Sequence, residues 1–256
     1  MMIQVPRAPL VSVADALYRA VLKYLAMERP DDATLQAPVA ALVMSWSVAR
    51  NIQAVTLLAK ADEILIPAAW SNARTAFEVG VRIIWILAPS DAFERELRLL
   101  PMIDEYARYH ENMDARKPQF AIADRHGEAA KDLRAYLTML RGKIPPGYAE
   151  PPGIPSVESI LKEIGNAHLY PAYIEASQYQ HGSMAASSAY RRASAVFGET
   201  VNLREWLLPM RLAWITLQEV AKAVSLRLTG QMMDWGSLPT EMNGLISALA
   251  AADPST

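Results

Sequence analysis

No cysteine occurs in the chain, which excludes disulfides, thiolate metal sites and cysteine nucleophiles. Glycine is scarce, at 11 of 256 residues, and there are only 4 phenylalanines. The many short Val/Ile/Thr runs between turn signals that an all-β fold requires are missing. Neither charge dominates: 25 basic residues stand against 27 acidic ones, for a net charge of −2. A domain that grips a nucleic-acid backbone usually carries a basic excess, so nucleic acid is not an expected partner. Long apolar runs are also lacking. Residues 39–48 are followed by Arg50, Asn51 and Gln53, and residues 79–87 contain Arg82. A spanning helix needs about 20 mostly apolar residues, so no membrane segment is expected. The first ten residues hold two prolines and an arginine and lack the apolar stretch of a secretory signal. These absences together predict a cytoplasmic protein.

What is abundant is alanine, the best helix former, within a hydrophobic content of 52%. The expected fold is all-α: one helical bundle-like domain over residues 1–256, with eight to nine helices and no sheet. Leu10, Ala14, Leu17, Val21 and Tyr24 recur at helical spacing and predict a helix over 11–29. Further helices are predicted over 35–61, 67–88, 91–116, 127–141, 171–194, 203–228 and 241–251, with a short one after Ser156. Asp91 is the cap expected before the fourth, with Glu94 placed for a capping box, and Pro101 is expected to bend or break that helix. Met210, Trp214, Leu217, Ala221, Val224 and Leu228 form a bundle seam on the last long helix, with Gly230 as its C-terminal cap. Residues 142–155 hold five prolines and three glycines. They read as a long surface loop, with a lid over a site as the alternative.

In a bundle the informative residues are polar ones on apolar stripes, because burying them costs free energy unless they are paired. On the third helix Trp70, Phe77, Val81, Ile84 and Ala88 form the stripe, and Arg74 falls on it. Glu78 lies one turn beyond Arg74, and Arg82 another turn on. An arginine facing a core needs a carboxylate or an anionic ligand. Downstream, Tyr173, Ser177, His181, Ala185 and Ser188 share one face of a continuous helix. The plainer readings are a surface ion pair for Arg74 and Glu78, and a satisfied core histidine for His181.

Tests for familiar chemistry come out negative. There is no phosphate loop, no dinucleotide fingerprint, no H-E-x-x-H and no paired E-x-x-H. Asp104, Glu105, His110 and Glu111 are split between helix faces and read as a solvated helix rather than a metal site. No cofactor or metal is expected. A triad of Ser177, His181 and Glu78 has the composition but no nucleophile elbow to support it.

The stretch from Arg74 to Glu78, with the apolar run that follows it, resembles the R-x-x-x-E signature of a bacterial all-helical family of unknown function. The family's second motif, Y-x-x-x-S-x-x-x-H, matches Tyr173, Ser177 and His181, and the charged helix carrying Tyr106, Arg108 and Tyr109 has the expected character. The resemblance runs over about residues 35–225. It implies a polar cluster of Arg74, Glu78, Ser177 and His181. It also implies a more distant likeness to the HEPN helical domains of prokaryotic toxin and defence systems. The ribonuclease motif of those domains, R-x(4–6)-H, has no counterpart at any of the 4 histidines here.

Three functions follow as expectations. The first is a binding or regulatory protein, linked through the resemblance to stress or phage defence. It would take a small anionic ligand at Arg74, Arg82 and Tyr173, or a protein partner. The second is a hydrolase or nuclease. His181 would be its general acid/base, Arg74 would stabilise developing charge, and Glu78 and Ser177 would assist. The third is a homo-oligomer joined through Trp235 and Met232–Met233, residues that core packing explains equally well.

Overall fold

The computed structural model describes residues 8–27, 35–61, 65–120, 125–180 and 203–251. Among them are nine α-helices: α1 (Ala8–Leu25), α2 (Gln36–Lys60), α3 (Ile66–Leu87), α4 (Ala92–Phe120), α5 (His126–Lys143), α6 (Val157–Glu163), α7 (Tyr170–Gln180), α8 (Leu203–Thr229) and α9 (Leu238–Ala251). A short 3₁₀ turn, Ala167–Leu169, joins α6 to α7, and the described residues contain no strand. The all-α expectation is met. None of the helices is long and apolar enough to cross a membrane.

The helix at the centre is α3. It packs on α2 and α8, and also on α4, α6 and α7. Its sequence explains why: Ala69, Ala73, Ala76 and Gly80 are small, so neighbouring backbones come close, while Trp70, Phe77, Val81 and Trp85 fill the gaps between them. The predicted stripe holds through Val81, but Ile84 is only half-buried and Ala88 is exposed. At Gly80 a Cβ would lie 2.8 Å from a methyl of Thr216 and 3.0 Å from one of Val220, so α8 is seated directly on the bare backbone. The α8 seam is buried from Met210 to Val224, and Trp235 packs back onto it, its ring 5.7 Å from that of Trp214. Trp235 and Met233 are thus core-packing residues, while Met232 is exposed.

Helix ends are secured across the fold. The last carbonyls of α3 and the turn after it accept from three arginines. Arg98 binds the Trp85 oxygen, Arg227 those of Leu87, Ala88 and Pro89, and Arg95 those of Pro89 and Ser90. Cations suit the negative end of a helix. At the start of α2 no local side chain caps the helix. The buried Glu96 of α4 does so instead, accepting from the Ala37 amide at 2.7 Å. Asp91 caps α4 as predicted, accepting from the amides of Phe93 and Glu94 at 2.8 and 3.0 Å. These bonds hold its carboxyl below the usual aspartate range. Ser156 caps α6 through the Ser159 amide, and Gly230 follows α8 with φ of +71°.

Pro101 does not break α4, which runs on through it as a helix of 29 residues. Packing on α5 along one side and on α3 and α2 along others holds it across the missing hydrogen bond. α5 packs chiefly on α4, with a small leucine cluster of its own made by Leu97, Leu100, Leu137 and Leu140. Further along the pair, Arg134 of α5 grips both Asp104 and Glu111 of α4. α5 extends to Lys143, so the irregular segment begins at 144. It is tied down at two points. The Tyr148 hydroxyl donates to Asp91 at 3.2 Å with its ring against Phe93, and Arg141 donates twice to Glu150 at 2.9 and 2.8 Å.

Candidate functional site

Arg74, Glu78 and Arg82 sit at successive turns of α3 and so project along one side of it. Tyr173 and Ser177 do the same on α7, which packs against α3. The two rows meet. The Arg74 guanidinium donates from Nε to the Ser177 hydroxyl at 2.9 Å and from Nη2 to the Tyr173 hydroxyl at 2.9 Å. Its Nη1 lies 3.1 Å from a Glu78 carboxylate oxygen. Its carbon is also 4.9 Å from the centre of the Tyr173 ring, close enough for a cation–π contribution. Ser177 donates its own proton to the Tyr173 carbonyl at 2.8 Å, which leaves the hydroxyl oxygen free to accept from Arg74. The arginine is only 13% exposed, so this partnering is what its burial requires.

The network continues outward. The second oxygen of Glu78 accepts from Arg82 at 2.9 Å, and Arg82 in turn lies 3.6 Å from Glu105 of α4. Charges alternate from the interior to the surface: Arg74, Glu78, Arg82, Glu105. The last contact is the longest, and Glu105 is 59% exposed.

Beside this ladder lies an open cleft of about 700 Å³. Glu78, Arg82 and Tyr173 form one side; Asp104, Glu105 and Arg108 of α4 form another. Residues 150–156 form the third wall. The Pro/Gly-rich segment is therefore more than a surface loop: its prolines stiffen a wall that faces the ladder. Three guanidinium groups, from Arg82, Arg108 and Arg141, border the space, each already paired with a carboxylate. Glu150 raises the pKa of Arg141, chiefly through their hydrogen bonds, and so reinforces the seam between α5 and the loop.

Four of the residues singled out from sequence, Arg74, Glu78, Tyr173 and Ser177, thus converge, and Arg82 extends them into the cleft. His181, Ala185 and Ser188 lie outside the described residues. The α4 side of the cleft, with Asp104, Glu105 and Arg108, is not marked in the sequence as part of a site. Those residues read as a solvated charge pattern, and only the spacing of Glu105 from Arg108 hints at two opposed charges on one face.

Residues 41–195 match a family of unknown function, DUF5677. The chain belongs to this family. The match begins within α2 and takes in α3, the α4–α5 pair, the loop and α7, and so covers all the residues of the ladder. No curated protein and no solved structure matches the chain.

Proposed function

We propose that this protein is a binding module with one domain, and that the cleft between α3, α4 and residues 150–156 takes a small ligand bearing an anionic group. The observation that carries the reading is the charge ladder that runs from the interior out into a cleft of ligand size. The cleft volume of about 700 Å³ lies within the range of small-molecule sites, which run from about 300 to 1,000 Å³. A handful of polar groups converges at one end of it, as such sites require. Arg82 is the anion-binding group. Its inner partner, Glu78, is fixed by Arg74, and its outer partner, Glu105, is long and exposed. An incoming carboxylate or phosphate replaces Glu105 at little cost and leaves Arg82 correctly aimed. Arg74, Tyr173 and Ser177 hold Glu78 and the cleft floor in place.

The test is binding by the purified chain of three anionic probes: inorganic phosphate, AMP and succinate, by calorimetry, with native mass spectrometry for any ligand that co-purifies. At least one probe or a retained ligand is expected. Arg82→Ala should weaken binding by about tenfold or more, the worth of a charge-assisted hydrogen bond. Arg50→Ala, on the exposed face of α2, should bind as the parent does. Binding unaffected by Arg82→Ala, or no binding and no retained ligand, removes the reading.

A further inference from the structure

Searching a sequence for metal sites means looking for ligands at fixed steps along one element. The fold brings two imidazoles together from different elements instead. His110 lies on α4 and His126 is the first residue of α5. Their Nδ1 atoms face each other at 2.8 Å, with ring centres 4.9 Å apart and planes inclined by 40°. Both rings are half-buried. Tyr106 stands edge-on to His110 at 4.6 Å, and Tyr109 stands edge-on to both histidines at 5.3 and 6.1 Å.

Only one proton fits between two Nδ1 atoms. The 2.8 Å separation suits one Nδ1–H donor facing the other ring's lone pair, whereas two Nε2–H tautomers oppose their lone pairs and are satisfied only by a cation set between them. The second arrangement is a bidentate nitrogen donor, suited to a borderline cation. Metal–nitrogen bonds of about 2.0–2.1 Å at a tetrahedral angle place the two nitrogens about 3.3 Å apart. The rings need to part by only about half an ångström to reach that spacing. The Asp114 carboxylate lies against the start of α5, 3.1 Å from where a Cβ on Gly127 would sit.

We propose that His110 and His126 form a two-imidazole site for a divalent transition-metal ion of the zinc, nickel or copper class. Among the described residues no group of three or more His, Cys, Asp or Glu side chains is placed to hold a metal. Water therefore completes the shell, and the site is an open, exchangeable one rather than a closed structural centre. Its position gives it a purpose. The leucine cluster closes one end of the α4–α5 hairpin, and the histidines sit toward the other end. A metal there adds a clasp near the joined end of the hairpin, beside the ion pairs of Arg134 with Asp104 and Glu111.

The test uses the full chain stripped with chelator, then given Zn²⁺, Ni²⁺ or Cu²⁺ alone. Zn²⁺ should bind with one equivalent and raise the thermal midpoint. His110→Ala and His126→Ala should each weaken binding by about tenfold or more. His168→Ala, at an exposed histidine elsewhere, should bind as the parent does. A second measurement needs no variant: Cu²⁺ bound to the parent chain should show electron-spin splitting from two imidazole nitrogens. No binding by the folded, stripped protein overturns the proposal. So does binding retained when both histidines are replaced, or a Cu²⁺ spectrum with fewer than two nitrogens.

Discussion

Gly80 decides how near α8 comes to α3. Replacing it with alanine sets two effects against each other. The helix gains about 1 kcal/mol of propensity, while overpacking costs about 1–3 kcal/mol. The obstructing atoms are methyls of Thr216 and Val220, both β-branched and held in their rotamers within α8. Thr216 is further fixed by its bond to the Leu212 carbonyl at 2.6 Å. The clash should win, so Gly80→Ala should lower stability in urea by roughly 1–2 kcal/mol. An unchanged midpoint would mean that the two helices part freely. Glu205 poses the opposite case. It lies in the first turn of α8, where a carboxylate is favoured, yet burial pushes its pKa up. The folded chain thus holds this proton more tightly than the unfolded chain does. That contribution is present below the ordinary glutamate range and is lost as pH rises through the raised value. At pH 7 the ionised group is a liability. Glu205→Gln should therefore raise the thermal midpoint at pH 7, with the gain shrinking toward pH 4; equal gains at both would refute the burial argument. Neither residue is conspicuous in the sequence, because what matters about each is a neighbour from a distant segment.

Among the elements, α2 begins without a cap of its own and borrows Glu96 from a helix 59 positions away. Glu96→Ala leaves a buried amide without its acceptor and should cost about 1–3 kcal/mol in chemical denaturation. Glu96→Gln keeps an acceptor oxygen and should cost less. If the two variants match the parent, water serves α2 as well as the carboxylate does. This dependence marks where reading the sequence stops. The Asp91 and Ser156 caps were legible because cap and helix are a few residues apart. So were the stripes of α1 and α8, whose periodicity is local. Pro101 misled for the same reason: the local rule says break, and packing on three neighbouring helices overrides it. Arg227 holding the end of α3 from far along the chain leaves no local trace at all.

For the molecule as a whole, the ladder was legible and the cleft was not. Arg74 and Glu78 stand out because charge on an apolar stripe must be answered, and Tyr173 and Ser177 share a helix face that supplies the answer. Asp104, Glu105 and Arg108 look like any solvated charge pattern until the fold sets them opposite α3. The His110–His126 pair escaped because its members occupy separate helices. The cleft has sides of different origin. Arg82 and Tyr173 belong to the α3 body, whereas Asp104, Arg108 and Arg141 belong to the hairpin of α4 and α5. The segment 144–156 runs between the two, tied to the hairpin through Tyr148 and Glu150 and to the body through α6. It works as a strap. A ligand lodged between Arg82 and Arg108 would draw the hairpin and the body together, and the strap would carry that tension to the C-terminal end of α5. Occupancy of the cleft would then be felt as slower amide exchange along the turns of α5 that precede Arg141, away from the cleft.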